Sequence, residues 1–242
     1  MKNFVKLLLQ RTLGYERYLR VFSNYKIRTL KRDEKEKDFF AFMDTIDGDG
    51  AIMDVGANIG IMTYHLSKKF PLRKIYAIEP MPDNFSVLKA IVDKNKLSNV
   101  VLHQVAVGEE SATIQMVLPL NGKVKMQGLA HVVHDSIDEW NVGEKIEVSC
   151  VRLDDLAVDD PIAGIKMDIE NFEFFALKGG LQILSVHQPV VYLELWANEN
   201  RDKCFEFLRS LNYLPYVNIS DKLVPFDPAT HHKQNFIFKP VK

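Results

Sequence analysis

Short apolar runs alternate with segments of helical spacing from about residue 50 onward, and this alternation limits the chain to few folds. The first run, 51–55, ends at a glycine, and a helical pattern over 60–70 separates it from the second run, 74–78. Further apolar runs cover 100–105, 111–118, 145–152, 162–169, 190–195, 213–217 and 235–238, and further helical patterns cover 83–94, 173–184 and 200–211. Because parallel strands need helical crossovers, we predict an α/β fold with a doubly wound, mostly parallel, Rossmann-like sheet and helices on both faces.

The first 40 residues differ from the rest of the chain in charge. Residues 1–32 contain nine basic residues and one acid, Glu16, and their apolar residues recur at roughly helical spacing. We therefore predict a basic helical N-terminal extension at 1–40 and one domain at 41–242. Aromatic residues such as Tyr15 and Tyr18 favour packing of the extension over the sheet as a cap. The alternative is peripheral contact of residues 1–32 with an anionic membrane, because interleaved cations and apolar residues are typical of interfacial helices.

Composition excludes several classes of partner. The 31 Lys and Arg residues nearly balance the 32 Asp and Glu residues, so we expect no nucleic-acid partner. Two distant cysteines favour neither a disulfide framework nor a zinc site. No apolar run is long enough to cross a bilayer, and the run at residues 7–9 is too short for a secretion signal. We therefore expect a cytoplasmic protein, peripheral at the inner membrane face under the alternative for residues 1–32, and we leave its oligomeric state open.

The turn after the first apolar run has the spacing acid-x-Gly-x-x-x-Gly, from Asp54 through Gly56 to Gly60, with Ala57 and Asn58 between the glycines. Glycine at the first position allows a sharp turn and close approach of a ligand to the backbone. A dinucleotide fingerprint has three glycines, because its pyrophosphate lies on bare backbone at a helix N-terminus. The acid here favours instead a cofactor that joins a cationic sulfonium to a zwitterionic amino acid.

A second acid supports an adenosine-type cofactor. Glu79 ends the second apolar run, where it is placed to accept both ribose hydroxyls. The third run ends at Val105 and Ala106, and the order of the strands places an adenine ring beside them. We therefore predict that the ends of the first three strands form the cofactor site.

Several motifs together resemble the FkbM family of methyltransferases over about residues 40–215. The matching segments are Asp54-Val-Gly-Ala-Asn-Ile-Gly60, Ile78-Glu-Pro80 followed by Asn84, Val105-Ala-Val-Gly108, Val151-Arg-Leu-Asp-Asp-Leu156 and Ile165-Lys-Met-Asp-Ile-Glu170 followed by Glu173. The resemblance implies S-adenosyl-L-methionine as the cofactor, with Pro80 and Asn84 beside it, and O-methylation of a sugar hydroxyl, a polysaccharide precursor or a small metabolite. The chain departs from the family pattern at Asn171, where glycine is usual, and asparagine tolerates the left-handed backbone better than most residues.

Transfer of a methyl group to a hydroxyl needs alignment and a base that removes the proton. Asp168 and Glu170 follow the fourth parallel run, which places them beside the transferred methyl group, and Asp168 is also expected to contact the cofactor. His131 lies in a polar insertion that could cover the site, and histidine is a suitable base at neutral pH. The pair His131 and His134 is a weak metal motif without a third ligand, so we predict no metal.

Two other functions remain open from the sequence. One is methylation of a nitrogen or of a lipid-linked acceptor, although the Asn-Pro-Pro-aromatic signature of amino-group methylation is absent. The other is a non-catalytic assembly subunit that binds S-adenosylmethionine, because the glycine loop and Glu79 indicate binding alone.

Overall fold

The computed structural model describes residues 2–135, 137, 141–156 and 158–241. Residues 1 and 242, the outer ends of the two predicted segments, lie outside this part of the chain. The α-helices are α1 (Lys2–Leu13), α2 (Tyr15–Thr29), α3 (Lys37–Thr45), α4 (Ile61–Lys69), α5 (Pro82–Asn95), α6 (Glu173–Lys178), α7 (Leu181–Val186) and α8 (Glu199–Ser210). The strands are β1 (Ala51–Val55), β2 (Ile75–Ile78), β3 (Val100–His103), β4 (Ala106–Val107), β5 (Ala112–Asn121), β6 (Val124–Lys125), β7 (His131–Val132), β8 (Gly143–Val151), β9 (Ile162–Met167), β10 (Val190–Glu194), β11 (Tyr213–Ile219), β12 (Lys222–Pro225) and β13 (Asn235–Pro240).

The main sheet has the strand order β12-β11-β13-β10-β9-β1-β2-β3. Its five strands from β10 to β3 are parallel, and β13, β11 and β12 add antiparallel pairs at one edge. The chain leaves β1 toward β2 and β3 on one side and later returns to β9 and β10 on the other, so the strand order reverses between β1 and β9. The prediction of a doubly wound, mostly parallel sheet is confirmed, and the reversal opens a crevice at the carboxyl ends of these two strands.

Helices cover both faces of this sheet, as predicted. On one face, Phe39 and Phe42 of α3 and Leu66 of α4 are fully buried against the strands. On the other face, Leu177 of α6 and Leu208 of α8 are fully buried in a second apolar cluster. All five residues of β1 are buried, and burial on both faces explains why its sequence reads as a continuous apolar run.

The predicted strands at 111–118 and 145–152 form a second, smaller sheet. They correspond to β5 and β8, which pair antiparallel, while β4, β6 and β7 complete the sheet. The two short strands β6 and β7 were not predicted, because two residues are too few to show an alternating pattern.

The helix predicted over 173–184 is two short helices, α6 and α7, divided at Gly179 and Gly180. A Cβ atom on Gly179 would lie 1.9 Å from the carbonyl oxygen of Gly108, so the chain passes tightly there. The carboxylate of Asp154 accepts hydrogen bonds from the backbone N–H groups of Gln182 and Ile183, each at 3.0 Å. A cap from a distant residue therefore begins a new helix inside one helical pattern.

The N-terminal helices are part of the packed structure. Tyr18, Leu19 and Ile27 of α2 are buried against Val87 and Ile91 of α5. Helix α3 runs across the boundary that the sequence predicts between residues 40 and 41. Among the described residues, no helix combines the length and the apolar character that a membrane span requires.

Replacing Leu19 by alanine tests this packing. We expect Leu19→Ala to lower the free energy of unfolding by about 2–5 kcal/mol, because a fully buried leucine would leave a cavity. The control is Val21→Ala on the exposed side of the same helix, with an expected change within about 0.5 kcal/mol. Urea denaturation measures both, and similar losses in the two variants would contradict the observed orientation of α2.

Candidate active site

A cleft lies where the carboxyl ends of the central strands face the second sheet. The predicted site residues that line this cleft are Gly56, Asn58, Glu79, Pro80, Asn84, Ala106, Asp168 and Glu170. They come from the ends of β1, β2 and β9 and from the chain after β3, as expected for a ligand site at a strand reversal. The structure thus brings together residues that are more than 100 positions apart in the sequence.

Gly56 places the loop after β1 directly against the end of β9. Its φ angle is 76°, and a Cβ atom there would lie 1.9 Å from the carbonyl oxygen of Asp168. Asn58 also has a left-handed backbone, with φ 49°. Only glycine fits at position 56, because both the backbone conformation and the nearby carbonyl exclude a side chain.

Glu79 connects this loop to the end of β2. One carboxylate oxygen accepts the N–H of Asn58 at 2.8 Å, and the other accepts the N–H of Met81 at 2.9 Å and the side-chain amide of Asn84 at 3.3 Å. Burial raises the pKa of Glu79 to about 7, although these hydrogen bonds oppose the shift. A carboxylate offers about four lone-pair positions, so three protein donors leave capacity for a ligand hydroxyl.

Lys166 is a buried cation that joins β9 to β1. Its ammonium donates to the carbonyl oxygen of Gly56 at 2.9 Å and lies 3.4 Å from Asp54 Oδ1 and 3.7 Å from Asp168 Oδ2. Burial lowers the pKa of Lys166, but the neighbouring carboxylates outweigh it and raise the pKa above its usual value. Asp54 also accepts the hydroxyl of Thr63 at 2.6 Å. Lys166 therefore stays charged and compensates two acids at once.

Asp168, Glu170 and Glu194, at the ends of β9 and β10, influence one another electrostatically. Burial, followed by the charges of Asp168 and Glu194, raises the pKa of Glu170 to about 10. The charge of Asp168, followed by burial, also raises the pKa of Glu194. The neutral form of Glu170 is therefore favoured, and in that form its carboxyl can donate a hydrogen bond. The side chain of Asp168 is 29% exposed and remains the accessible acceptor in this group.

The turn after β9 has a left-handed backbone at two successive residues, Glu170 with φ 56° and Asn171 with φ 74°. Asparagine in place of the family glycine thus retains the left-handed conformation. The side chain of Asn171 accepts a hydrogen bond from Asn198 at 2.9 Å, a contact that glycine cannot make. The carboxylate of Glu173 accepts the N–H of Ile169 at 2.9 Å and supports the turn from inside.

Four of the predicted cofactor residues do not line the cleft. Asp54 is fully buried behind it and acts on it through Lys166. Ala57 is buried in the apolar cluster around Leu88, and Gly60 begins α4 against the same leucine. Val105 packs on the main core. These four residues shape the loop and the strand ends, and their direct contact with a cofactor stays a prediction.

His131 is buried and does not line the cleft. It is 1% exposed, its Nδ1 lies 2.8 Å from the carbonyl oxygen of Leu129, and its Nε2 lies 3.2 Å from Oδ1 of Asn141. Its neighbours Ala130 and Val132 line the cleft instead. In a strand, successive side chains point to opposite faces, so the geometry does not support His131 as a base.

Three large cleft residues were missed from the sequence: Met116, Gln127 and Phe172. Gln127 lies in the insertion that the sequence suggested as a cover, which was the only available signal. The side-chain oxygens of Gln127 and Asn58 are buried and have no hydrogen-bond partner. Unpaired buried polar atoms are costly in a folded protein, so these two oxygens indicate a polar ligand in the cleft.

A family model of the methyltransferase FkbM domain matches residues 54–218, which is more than half of the chain. The chain belongs to the FkbM family of methyltransferases. The resemblance inferred from the motifs is thereby confirmed. Membership of this family implies S-adenosylmethionine as the cofactor.

Sequence relatives of this FkbM-family chain include two named methyltransferases. One is 31-O-demethyl-FK506 methyltransferase FkbM of Streptomyces tacrolimicus, 28% identical over 155 residues, which cover 53% of this chain and 58% of that protein. Another is Methyltransferase 1 of Beauveria bassiana, 27% identical over 146 residues, which cover 54% and 58% respectively. The chain thus spans little more than half the length of these relatives.

Solved structures of similar fold include methyltransferase FkbM from Methylobacillus flagellatus KT. Its TM-score is 0.54 at 18% identity, with coverage of 79% of this chain and 43% of that chain. Precorrin-6y C5,15-methyltransferase from Geobacter metallireducens GS-15 has a TM-score of 0.50 at 16% identity, with coverage of 87% and 89%. At such identities the similarity shows the shared fold alone.

The Glu79 variants test the cofactor site. We expect Glu79→Ala to weaken binding of S-adenosylhomocysteine by about 1–3 kcal/mol, because the ligand would lose a buried charged acceptor. Glu79→Gln keeps the shape of the side chain and one acceptor oxygen, so we expect it to lose less affinity for S-adenosylhomocysteine than Glu79→Ala. Titration calorimetry gives the affinities, and thermal melts show whether each variant is folded. Wild-type affinity in both folded variants would remove Glu79 from the site.

The free energy of unfolding should fall as the pH rises from 4.5 to about 8. In this range a buried carboxyl such as that of Glu173 keeps its proton in the folded state but loses it in the unfolded state. Burial raises the pKa of Glu173 from 4.5 to about 8. Its contribution to stability is therefore complete below 4.5 and disappears as the pH passes the folded value. Glu173→Gln should flatten this decline and gain stability relative to wild type at high pH. Urea denaturation at several pH values is the measurement, and parallel curves for the two proteins would contradict the prediction.

Proposed function

We propose that the chain is an S-adenosylmethionine-dependent O-methyltransferase that acts on a hydroxyl of a sugar, a polysaccharide precursor or a small metabolite. The observation that carries the proposal is the shared cleft. Asp168 and Glu170, which can serve an acceptor, line the same space as Gly56, Asn58 and Glu79, which can hold a cofactor. The name of the Streptomyces relative specifies an O-demethyl substrate, which supports an oxygen acceptor here as well.

The cofactor side is the part of the cleft that β1 and β2 provide. When bound, S-adenosylmethionine supplies a methyl group on a sulfonium centre. Glu79 would accept a hydrogen bond from a ribose hydroxyl, and the unpaired oxygen of Asn58 would accept a hydrogen bond from a further donor of the cofactor. The hydrogen bond from the N–H of Asn58 to Glu79 keeps the loop and this acid in one arrangement before a ligand binds. Preorganisation of this kind reduces the entropy lost on binding.

The acceptor side is the end of β9. Asp168 would remove the proton of the acceptor hydroxyl as that oxygen bonds to the methyl carbon and the carbon–sulfur bond breaks. The ammonium of Lys166 lies 3.7 Å from Oδ2 of Asp168 and holds this carboxylate at the end of β9. The protonated Glu170 can donate a hydrogen bond to another oxygen of the acceptor and so orient it. Alignment of this kind lowers the barrier by several kcal/mol in favourable cases.

Apolar side chains of the second sheet close the opposite side of the cleft. Met116 and Val132 line it from β5 and β7, and Phe172 lines it beside the turn after β9. Phe172 stacks on Phe175 with ring centroids 4.7 Å apart, which restricts its orientation. An apolar wall excludes water, and exclusion of water strengthens the electrostatic interactions of Asp168 and Lys166.

Asp168→Asn and Glu170→Gln separate the roles of the two acids. We expect Asp168→Asn to bind S-adenosylhomocysteine within a few fold of wild type and to lower turnover by about 10²–10⁴-fold, because the amide cannot take a proton. Glu170→Gln retains a neutral donor of the same shape, so its turnover should fall by less than about tenfold. Transfer of a labelled methyl group to pools of nucleotide sugars, glycans and amines provides the assay.

The same assay decides between the possible functions. Labelling of hydroxyl acceptors supports the proposal, and labelling of amines alone would favour N-methylation. Cofactor binding without transfer to any pool would favour a non-catalytic assembly subunit. Normal turnover in Asp168→Asn would show that Asp168 is not the base.

A further inference from the structure

Positive charge is concentrated in the first two helices and the turn that follows them. Residues 1–32 contain nine basic residues and one acid. The net charge of these 32 residues is therefore +8. Because the net charge of the whole chain is −1, the remaining residues have a net charge of −9. The one acid, Glu16, is already paired with Arg20 at 2.6 Å and accepts the hydroxyl of Ser86 at 2.9 Å. The segment is therefore a cationic surface on an otherwise acidic protein.

Helix α1 turns an apolar side outward. Val5, Leu8 and Leu9, which share one side of the helix by their spacing, are between 40% and 52% exposed. The opposite side is held to β6 by polar contacts, since the side chain of Gln10 donates to the carbonyl oxygen of Lys125 and accepts its N–H. A surface helix normally buries its apolar side, so this orientation indicates that something covers the three residues.

Helix α2 also exposes apolar residues to solvent, and cations surround them. Val21 and Tyr25 are more than half exposed. They lie in an open groove between α2 and α5, and the basic residues of the groove are Arg17, Arg20, Arg28 and Lys94. Apolar side chains between cations are the composition expected of a surface that meets both lipid tails and phosphates.

We propose that the exposed sides of α1 and α2 bind the surface of an anionic lipid bilayer, with the apolar residues in the interface and the cations toward lipid phosphates. Charge favours this occupant. Two copies of the chain would bring like-charged surfaces together, which costs free energy. A single cation near an anionic leaflet contributes about 1 kcal/mol, and several acting together are enough for peripheral binding.

Co-sedimentation of the full chain with vesicles tests the proposal. We expect binding to vesicles of phosphatidylcholine with phosphatidylserine at low salt, at least about tenfold weaker binding at high salt, and little binding to phosphatidylcholine alone. The double variant Arg17→Glu, Arg28→Glu should lose at least about tenfold in affinity, and so should Leu8→Ser, Leu9→Ser. The matched control, Lys203→Glu, Arg209→Glu on α8 of the opposite sheet face, should bind like wild type.

Each outcome decides for or against the lipid surface. Equal binding of the α2 and α8 variants would overturn the proposal, as would equal binding to neutral and anionic vesicles. Sedimentation of the protein without vesicles measures its oligomeric state and tests whether a second copy of the chain covers α1. A wild-type dimer that Leu8→Ser, Leu9→Ser converts to a monomer would show that a second copy covers α1 instead. None of these measurements depends on methyl transfer, so the result stands apart from the proposed enzymatic function.

Discussion

The buried ammonium of Lys166 connects the parts on which the site depends. It lies at the reversal of strand order, within 3.4 Å of Asp54 on β1 and 3.7 Å of Asp168 after β9, and it donates to the carbonyl oxygen of Gly56. Removing it would leave Asp54 buried without a compensating cation, which typically destabilises a protein by several kcal/mol. One side chain thus joins the glycine loop, on the proposed cofactor side, to Asp168, on the proposed acceptor side.

The other acids near this cation differ in burial and in neighbouring charge. Glu79 is buried among three donors, and burial raises its pKa to about 7. Burial, followed by the charge of Asp168, raises the pKa of Glu170, and the charge of Asp168, followed by burial, raises the pKa of Glu194. The shift at Glu170 supports the proposed division of roles, in which Asp168 accepts the proton of the acceptor and Glu170 donates a hydrogen bond. Similar residues acquire different functions through burial and neighbouring charge.

The N-terminal helices share in the structure that supports the cleft. The hydroxyl of Ser23 in α2 donates to the carbonyl oxygen of Ile59 at 2.8 Å, within the loop that runs from Gly56 to α4. The buried side of α2 therefore supports the cofactor loop, while its exposed side carries the cations proposed to meet lipid. The sequence presents a cap and a membrane surface as alternatives, but the cap and the proposed membrane surface involve different sides of one helix.

The main sheet, the glycine loop and the acids at the strand ends can be predicted from the sequence, because apolar periodicity indicates burial and glycine indicates unusual backbone conformation. It did not show that Lys166 meets Asp54, or that Gln127 and Phe172 line the cleft. It also suggested His131 as a base, although the fold buries that ring beside Asn141. These features follow from the fold, since each depends on contacts between residues far apart in the chain or on which side of a strand faces the cleft.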